Sequence, residues 1–402
     1  MTRLRIAHIA PPSLPVTTTR GGALSRRIMA TAKEQAAQHD VIVYSVPGPA
    51  APPGAGFRVI FVRCVLPRPW RDLEFLMRVQ LRLRRDGIQV LHSHAVPLAG
   101  LLVGVRKVLT VDYVKFRGWG NPVGRRAYLF ALRRFQRICV VSRYCLEQFD
   151  TVWGHDLRAS VVGNGVDFDL YRPDELRGAE FRRKLGVEEG DVVVLYVGRL
   201  CGQKGTDLLL QAFERLRPQD GVRLILVGPE GDFDTVLAAA QTHMTKWQTV
   251  KDREGVLTLG VVEDSVLPAV FNAADVAVLP TRRHEMFGMA IVEAQASGVP
   301  AVASDSQGLL ETVDPVSGWW FRTGDADSLA EVLKHAAALG RPALRQRGQS
   351  ARAFAAQFAW QEIVRQYDAL YASTADSSMS DSPLSSAGAQ HPPCSPVRRR
   401  RT

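Results

Sequence analysis

Short apolar runs rich in β-branched residues alternate with helix-patterned stretches along this chain, and the alternation occurs twice. In the first half, residues 4–10, 40–45, 58–64, 90–93, 108–111 and 138–141 read as strands, with helical stretches such as 25–38 and 73–85 between them. In the second half, 192–197, 223–227, 256–259, 276–279 and 301–303 read as strands, and 206–216, 266–272, 289–297 and 328–338 as helices. Strands separated by helices form parallel sheets, because a parallel pair needs a crossover long enough to return the chain. Two such sets predict an α/β protein of two Rossmann-like domains, and 402 residues suffice for two cores. The predicted divisions are an amino-terminal domain over 1–172, a carboxyl-terminal domain over 173–350, a closing helix over 351–371 and a tail over 372–402. A polar, charged stretch at 172–190 marks the boundary. The tail is rich in Ser, Pro and Ala and cannot bury enough apolar surface to fold, so it reads as disordered.

The segment EMFGMAIVEAQASGVP, residues 285–300, follows the apolar run DVAVLP. Glu285 therefore belongs in a loop at the carboxyl end of a strand, and Glu293 about two turns beyond it, along the helix that follows. Ligands of open α/β sheets bind at that edge. Two carboxylates there can accept hydrogen bonds from two sets of hydroxyls, as in a sugar joined to a ribose. Arg199 and Lys204, in VGRLCGQKG, occupy the matching place after the strand 192–197. Arginine can grip a phosphate through two nitrogens and lysine as a point charge. Gly21 and Gly22 open the helix after the first strand, where backbone N–H groups attract anions. The spacing is not GxGxxG, so a dinucleotide cofactor is not supported.

His92 and His94 form HSH at the end of the fourth strand, and their spacing puts both on one face. They read as core or cleft-wall residues, with His94 placed to meet substrate; a metal site would need a third ligand. Three DxD triplets, at 167–169, 232–234 and 325–327, offer a divalent cation a carboxylate pair, though the pattern arises easily by chance.

The five cysteines show no CxxC spacing and indicate neither a disulfide framework nor a zinc site, which fits a reducing cytoplasm. No apolar segment approaches the ~20 residues of a membrane helix, and the apolar start is too short for a signal peptide. The net charge of +11 admits nucleic acid, an anionic membrane or phosphorylated ligands as partners. Basic helices at 68–85 and 124–137 read first as solvated faces and second as a peripheral membrane contact. Nucleic-acid binding would want interleaved aromatics, and Trp119 and Tyr128 do not supply them.

VGRL with its KG, DVAVLP, ExFGxxxxEAxAxGxP and NGVDFDLYRP together resemble the donor-binding half and inter-domain segment of family 4 glycosyltransferases, of the group 1 type. The resemblance covers about residues 4–371 and is more specific in the second half. It implies a GT-B fold and transfer of a hexose or N-acetylhexosamine, with retention, from a nucleotide sugar, by family habit UDP-linked. It implies a hydroxyl acceptor and no cofactor or essential metal. Carried over, Arg199, Lys204 and Gly22 hold the diphosphate. Glu285 contacts the donor sugar, Phe287, Gly288 and Met289 line its loop, and Glu293 binds the ribose. Where relatives often carry a histidine after the fifth strand, this chain has Asp112, which would orient or deprotonate the acceptor and would suit a basic aminocyclitol. The expected setting is bacterial natural-product biosynthesis. The alternatives are a peripheral membrane enzyme of lipid-linked or cell-surface polysaccharide assembly, a nucleotide-sugar epimerase and, remotely, a nucleic-acid-binding protein.

Overall fold

The computed structural model describes residues 3–13, 15–16, 22–48, 55–67, 70–112, 122–156, 158–216, 221–231, 255–282 and 285–374. The first lobe carries β1 (Arg5–Ile9), α1 (Gly22–Gln35), β2 (Asp40–Ser45), β3 (Arg58–Phe61), α2 (Trp70–Arg85), β4 (Val90–His94), β5 (Arg106–Val111), α3 (Pro122–Leu132), β6 (Arg137–Val140), α4 (Arg143–Trp153) and β7 (Ala159–Val161). Its strands are all parallel, in the order β3-β2-β1-β4-β5-β6-β7. The second lobe carries α5 (Glu175–Lys184), β8 (Val192–Val197), α6 (Thr206–Glu214), β9 (Val222–Val227), β10 (Val256–Gly260), α7 (Leu267–Asn272), β11 (Val276–Leu279), α8 (Met289–Ala296), β12 (Ala301–Ser304), β13 (Trp319–Phe321), α9 (Ala326–Ala338) and α10 (Gly340–Ala355). Its order is β10-β9-β8-β11-β12-β13, again parallel throughout. A last helix, α11 (Trp360–Ser373), completes the described chain. The two-sheet α/β architecture expected of a GT-B protein is therefore present.

Central strands such as β8 (VVVLYV) are buried almost end to end because helices cover both sheet faces. Edge strands escape that rule. β7 and β13 are three residues each and partly exposed, and neither was expected from the sequence.

Each sheet reverses its strand order once, at β1/β4 in the first and at β8/β11 in the second. Loops diverge from these points to opposite faces and leave a crevice outside the carboxyl ends of the strands. Both candidate clusters stand at these two places.

The stretch 172–190 is not a bare linker. It contains α5, capped by Asp174, whose side chain accepts from the Arg177 N–H at 2.9 Å. Arg182 of α5 is buried despite its charge, because Asp275 accepts from it at 2.8 Å and the Ala273 carbonyl at 3.0 Å. A charge entering a core needs such a partner.

The expected closing helix over 351–371 is divided. Residues up to Ala355 finish α10, which packs on α8 of the second lobe. After the turn Ala356–Phe358 the chain crosses back, pairing with the outgoing strand through Val166 N–H to Phe358 O at 2.8 Å and Trp360 N–H to Val166 O at 3.3 Å. α11 then buries Trp360, Ile363, Tyr367 and Tyr371 against Ile6, Val90, Val108 and Cys139 of the first lobe. Burial of side chains this large contributes about 2 kcal/mol each. The expected disordered tail lies, from 375 onward, outside the described residues. No described helix is long and apolar enough to cross a membrane.

Candidate functional site

The second lobe supplies one half of the site. Arg199 follows β8, and Lys204 ends a 3-10 turn over Gly202–Lys204. Gly205 then takes a left-handed conformation (φ 72°), and a Cβ there would lie 1.8 Å from the Pro280 carbonyl oxygen, so only glycine lets the β8 loop press against the end of β11. The Gln203 carbonyl accepts from Thr281 Oγ1 at 3.2 Å and from the Arg282 N–H at 3.1 Å, lacing the two loops together. Across this seam Lys204 and Glu285 form an ion pair. Arg199 Nη1 is buried with no hydrogen-bond partner among the described residues. An orphaned guanidinium nitrogen is costly unless an anion completes it.

Behind Glu285, the Phe287 ring turns inward and meets Phe358 edge-on at 5.4 Å. The Phe287 carbonyl accepts from Thr312 Oγ1 at 2.8 Å. Phe287 therefore contributes backbone to the loop and side chain to the packing. Gly288 is left-handed (φ 80°) and starts α8, whose first turn has no side-chain cap. The N–H groups around Met289 thus remain for an anion or an oxygen. Glu293 lies one turn on, almost fully buried. Burial pushes its carboxyl up to about 7, against the pull of Arg26.

Arg26 comes from the other lobe. It sits in the second turn of α1 and pairs with Asp264 at 2.9 Å, so the α1 end that begins at Gly22 points across the cleft. Gly21 lies outside the described residues. Glu311 makes a second bridge: its carboxylate accepts from the N–H groups of Arg143 and Tyr144 at 2.9 and 3.0 Å, at the start of α4.

The first lobe supplies Asp112, half-buried just past β5 and ion-paired with the buried Arg27. Arg27 also donates to Asn164 Oδ1 and to His94 Nδ1, each at 3.1 Å. His94 is fully buried, which corrects the expectation that it meets substrate: it touches Arg27, and Arg27 touches Asp112. The exposed residue at that strand end is Ala95, the only described non-glycine with a positive φ (56°). Strain of this kind concentrates at functional sites.

His92 and His94 do share a face, and a third histidine joins them. His8 on β1 stands in register with His92 of the neighbouring strand. Ring nitrogens of the three lie within 4.8 Å of one another, a spacing that suits a metal. The hydrogen bonds argue otherwise. A guanidinium only donates, so His94 Nδ1 accepts and its Nε2–H donates to His8 Nδ1 at 2.9 Å. His8 Nε2–H then donates to Gln35 Oε1 at 2.8 Å, and the Gln35 amide donates to the Tyr371 hydroxyl at 3.2 Å. Tyr371 donates to His92 Nδ1 at 2.7 Å, and His92 Nε2–H to Thr110 Oγ1 at 2.6 Å. All six ring nitrogens are engaged, with a buried cation adjacent. Burial lowers the basicity of all three, His8 to about 4, so they stay neutral. The cluster is a directed hydrogen-bond chain whose donors run from Arg27, the partner of Asp112, through His94, His8 and Gln35 to Tyr371 of α11.

The DxD triplets are otherwise occupied where described. Asp167 Oδ1 accepts from the Asp169 and Leu170 N–H groups, and Asp325 caps α9. The triplet at 232–234 lies outside the described residues.

Comparison with known proteins gives two family matches: "Glycosyl transferases group 1" over residues 178–353 and "Glycosyltransferase Family 4" over 21–170. The GDP-mannose-dependent alpha-(1-6)-phosphatidylinositol monomannoside mannosyltransferase of Mycobacterium tuberculosis is 31% identical over 309 residues, 69% of this chain and 75% of that one. The D-inositol 3-phosphate glycosyltransferase of Geodermatophilus obscurus is 35% identical over 226 residues, 54% of this chain and 48%, about half the length, of the relative. The solved structure of HepE from Anabaena with UDP and glucose superposes with a TM-score of 0.73 at 19% identity, covering 92% of this chain and 100% of that one.

Proposed function

The chain belongs to the group 1 glycosyltransferases of family 4, and on that premise we propose that it moves a hexosyl group, with retention, from a nucleoside diphosphate sugar to a hydroxyl of a cyclitol-bearing acceptor. The orphaned Arg199 Nη1 beside the Lys204–Glu285 pair carries this reading, because it is a cation set with an unfilled anion position.

Arg199, Lys204 and the first turns at Gly22 and Met289 hold the diphosphate. When Lys204 turns to that diphosphate, Glu285 is released to accept from the hydroxyls of the sugar. Glu293 takes the ribose. As the bond from C1 to the diphosphate oxygen breaks, negative charge grows on the leaving group. These fixed donors stabilise it without reorganising, a contribution that typically amounts to about 3–4 kcal/mol per donor. The acceptor oxygen attacks C1 from the same face, and its proton passes to the leaving diphosphate oxygen. Asp112 orients the acceptor hydroxyl. Closure of the lobes excludes water that would otherwise hydrolyse the donor.

Arg27 already neutralises Asp112, which favours a neutral polyol over the aminocyclitol of a natural-product pathway. The inositol in the names of the two relatives supports the same class. A UDP-linked hexose is the first donor assigned, in keeping with the ligands of the Anabaena protein. GDP-mannose is the second reading, from the name of the mycobacterial relative. The test is a mass-spectrometric screen of UDP- and GDP-hexoses against inositol, inositol phosphate and phosphatidylinositol acceptors, with product anomers assigned by NMR. An α-linked product from an α-linked donor, in the presence of EDTA, is expected. Absence of transfer from every donor, together with tight salt-sensitive DNA binding, would overturn the proposal.

A further inference from the structure

The outward face of α2 is apolar where a solvated helix would be polar. Trp70, Leu73, Met77 and Leu81 are 61%, 46%, 53% and 77% exposed. At 100° per residue they fall within an arc of about 80°. The buried face of α2, with Phe75, Leu76, Val79 and Leu83, lies on roughly the opposite side. The stripe is therefore not a spill-over of core residues.

Two features extend it. Glu74 is drawn inward and accepts from the N–H groups of Val65 and Leu66 at 2.9 and 2.8 Å. This holds the preceding loop so that Val65 (80%) and Leu66 (42%) project outward beside Trp70. On the flank, Val103 is tied to Gln80 by hydrogen bonds of 2.8 and 3.2 Å and is itself exposed.

A row of arginines borders the stripe. Arg71, Arg78, Arg82 and Arg85 occupy the next arc of about 60°, and α2 bears five arginines against Asp72 and the inward-turned Glu74. In a parallel βαβ crossover the helix runs against the strands, so Trp70 stands at the carboxyl edge of the sheet. That is the edge that carries Ala95 and Asp112.

We propose that α2 and the Val65–Leu66 loop dock on an anionic lipid bilayer, with the apolar stripe in the headgroup boundary and the arginines on acidic phosphates. An apolar strip bordered by a cationic row, with a tryptophan at one end, matches such an interface in composition and charge. The docked cleft would receive an acceptor whose cyclitol headgroup stays in the membrane. That last clause rests on the proposed transferase reading; the docking does not.

The experiment is co-sedimentation of the full chain with phosphatidylcholine vesicles, with and without about 30% phosphatidylglycerol. One variant combines Trp70→Ser, Leu73→Ser, Met77→Ser and Leu81→Ser. A second combines Arg82→Gln and Arg85→Gln. The natural chain is expected to bind the anionic vesicles, and each variant to bind at least about tenfold more weakly. Salt is expected to weaken the natural chain and to have little effect on the arginine variant. Circular dichroism and transfer to a water-soluble acceptor monitor folding and catalysis separately. If the fourfold variant fails to fold, Leu81→Ser alone gives the apolar reading. Absence of binding to anionic vesicles, or binding by either variant as tight as that of the natural chain, overturns the proposal. So does a dimer that the serine variant dissociates while vesicle binding is nil, which would make the stripe a contact between copies of the chain.

Discussion

Lys204 and Glu285, 81 residues apart in the chain, form an ion pair across the switch point of the second sheet. Each is only partly buried, so a diphosphate can displace the pairing. Lys204→Met is expected to lower kcat/KM by about 10²–10³, the loss seen when one charge-stabilising donor is removed. Glu285→Ala is expected to abolish transfer yet bind free UDP or GDP as well as the natural chain or better, because Lys204 no longer has a competitor. Calorimetric titration reads this directly, and a large loss of diphosphate affinity would remove Glu285 from its assigned role.

Glu293 introduces a pH dependence. Its carboxyl titrates at about 7, and only the ionised form accepts from both ribose hydroxyls. Affinity for the intact nucleotide sugar is therefore expected to rise as pH passes upward through about 7. The diphosphate of the intact donor does not titrate there. Stability has the opposite sign. The folded state keeps a proton that the unfolded chain has lost between 4.5 and about 7, so stability falls as pH rises through that window. Glu293→Gln should flatten both profiles, and a persistent affinity slope in that variant would assign the titration to another group.

Asp112→Asn leaves Arg27 buried beside a neutral amide. The expected cost is about 1–3 kcal/mol in unfolding free energy. The expected kinetic effect is a fall in kcat of about 10² with donor affinity unchanged. Adding Arg27→Met should restore much of the stability and none of the activity. Recovery of turnover in the double variant would show that Asp112 serves only to balance Arg27.

The three neutral histidines oppose acid. Each takes a proton below 6.5 when unfolded but resists it when folded, His8 down to about 4. Stability is thus complete above 6.5 and is lost as pH falls toward 4, by about 1.4 kcal/mol per pH unit for each histidine. In urea titrations across that range His8→Gln should have a shallower slope than the natural chain. An equal slope would mean that His8 is protonated in the fold.

Ala95 is left-handed at the first switch point, where a β-carbon costs about 1 kcal/mol. Ala95→Gly is expected to raise the thermal midpoint by a few degrees with kcat retained. A lower midpoint would mean that the methyl group packs favourably enough to offset the strain.

The donor half was legible because its signals are local. Glu285 and Glu293 share one helix entry, and β8 and β11 are buried on both faces and so read as continuous apolar runs. The acceptor half depends on pairs distant in the chain. Nothing near His92 announces His8, 84 positions earlier on a neighbouring strand, or Tyr371, 279 positions later. The HSH spacing correctly put two imidazoles on one face, but it placed His94 at the cleft because its contacts with Arg27 of α1 and His8 of β1 leave no trace in β4 itself. Arg182 was hidden for a related reason: its partner Asp275 makes burial of the charge tolerable, and composition registers only the charge. The α2 stripe shows the reverse case. The arginines of that helix were plain from the sequence, but whether Trp70 and Leu81 faced inward or outward was decided by the sheet beneath them.

α11 has a consequence for biosynthesis. A chain emerging from the ribosome normally completes its first domain before its second is made. Here the first sheet has all its strands by Val161, yet the wall that covers Ile6, Val90 and Val108 arrives only with Trp360–Ser373. Until then His92 lacks Tyr371, and an apolar face of the nascent lobe stays open through the synthesis of the entire second lobe. The first lobe to be translated is the last to close, which makes residues 360–373 a natural checkpoint: a ribosome that stops short of them releases a finished second lobe attached to an unfinished first lobe, a species for chaperones and proteases.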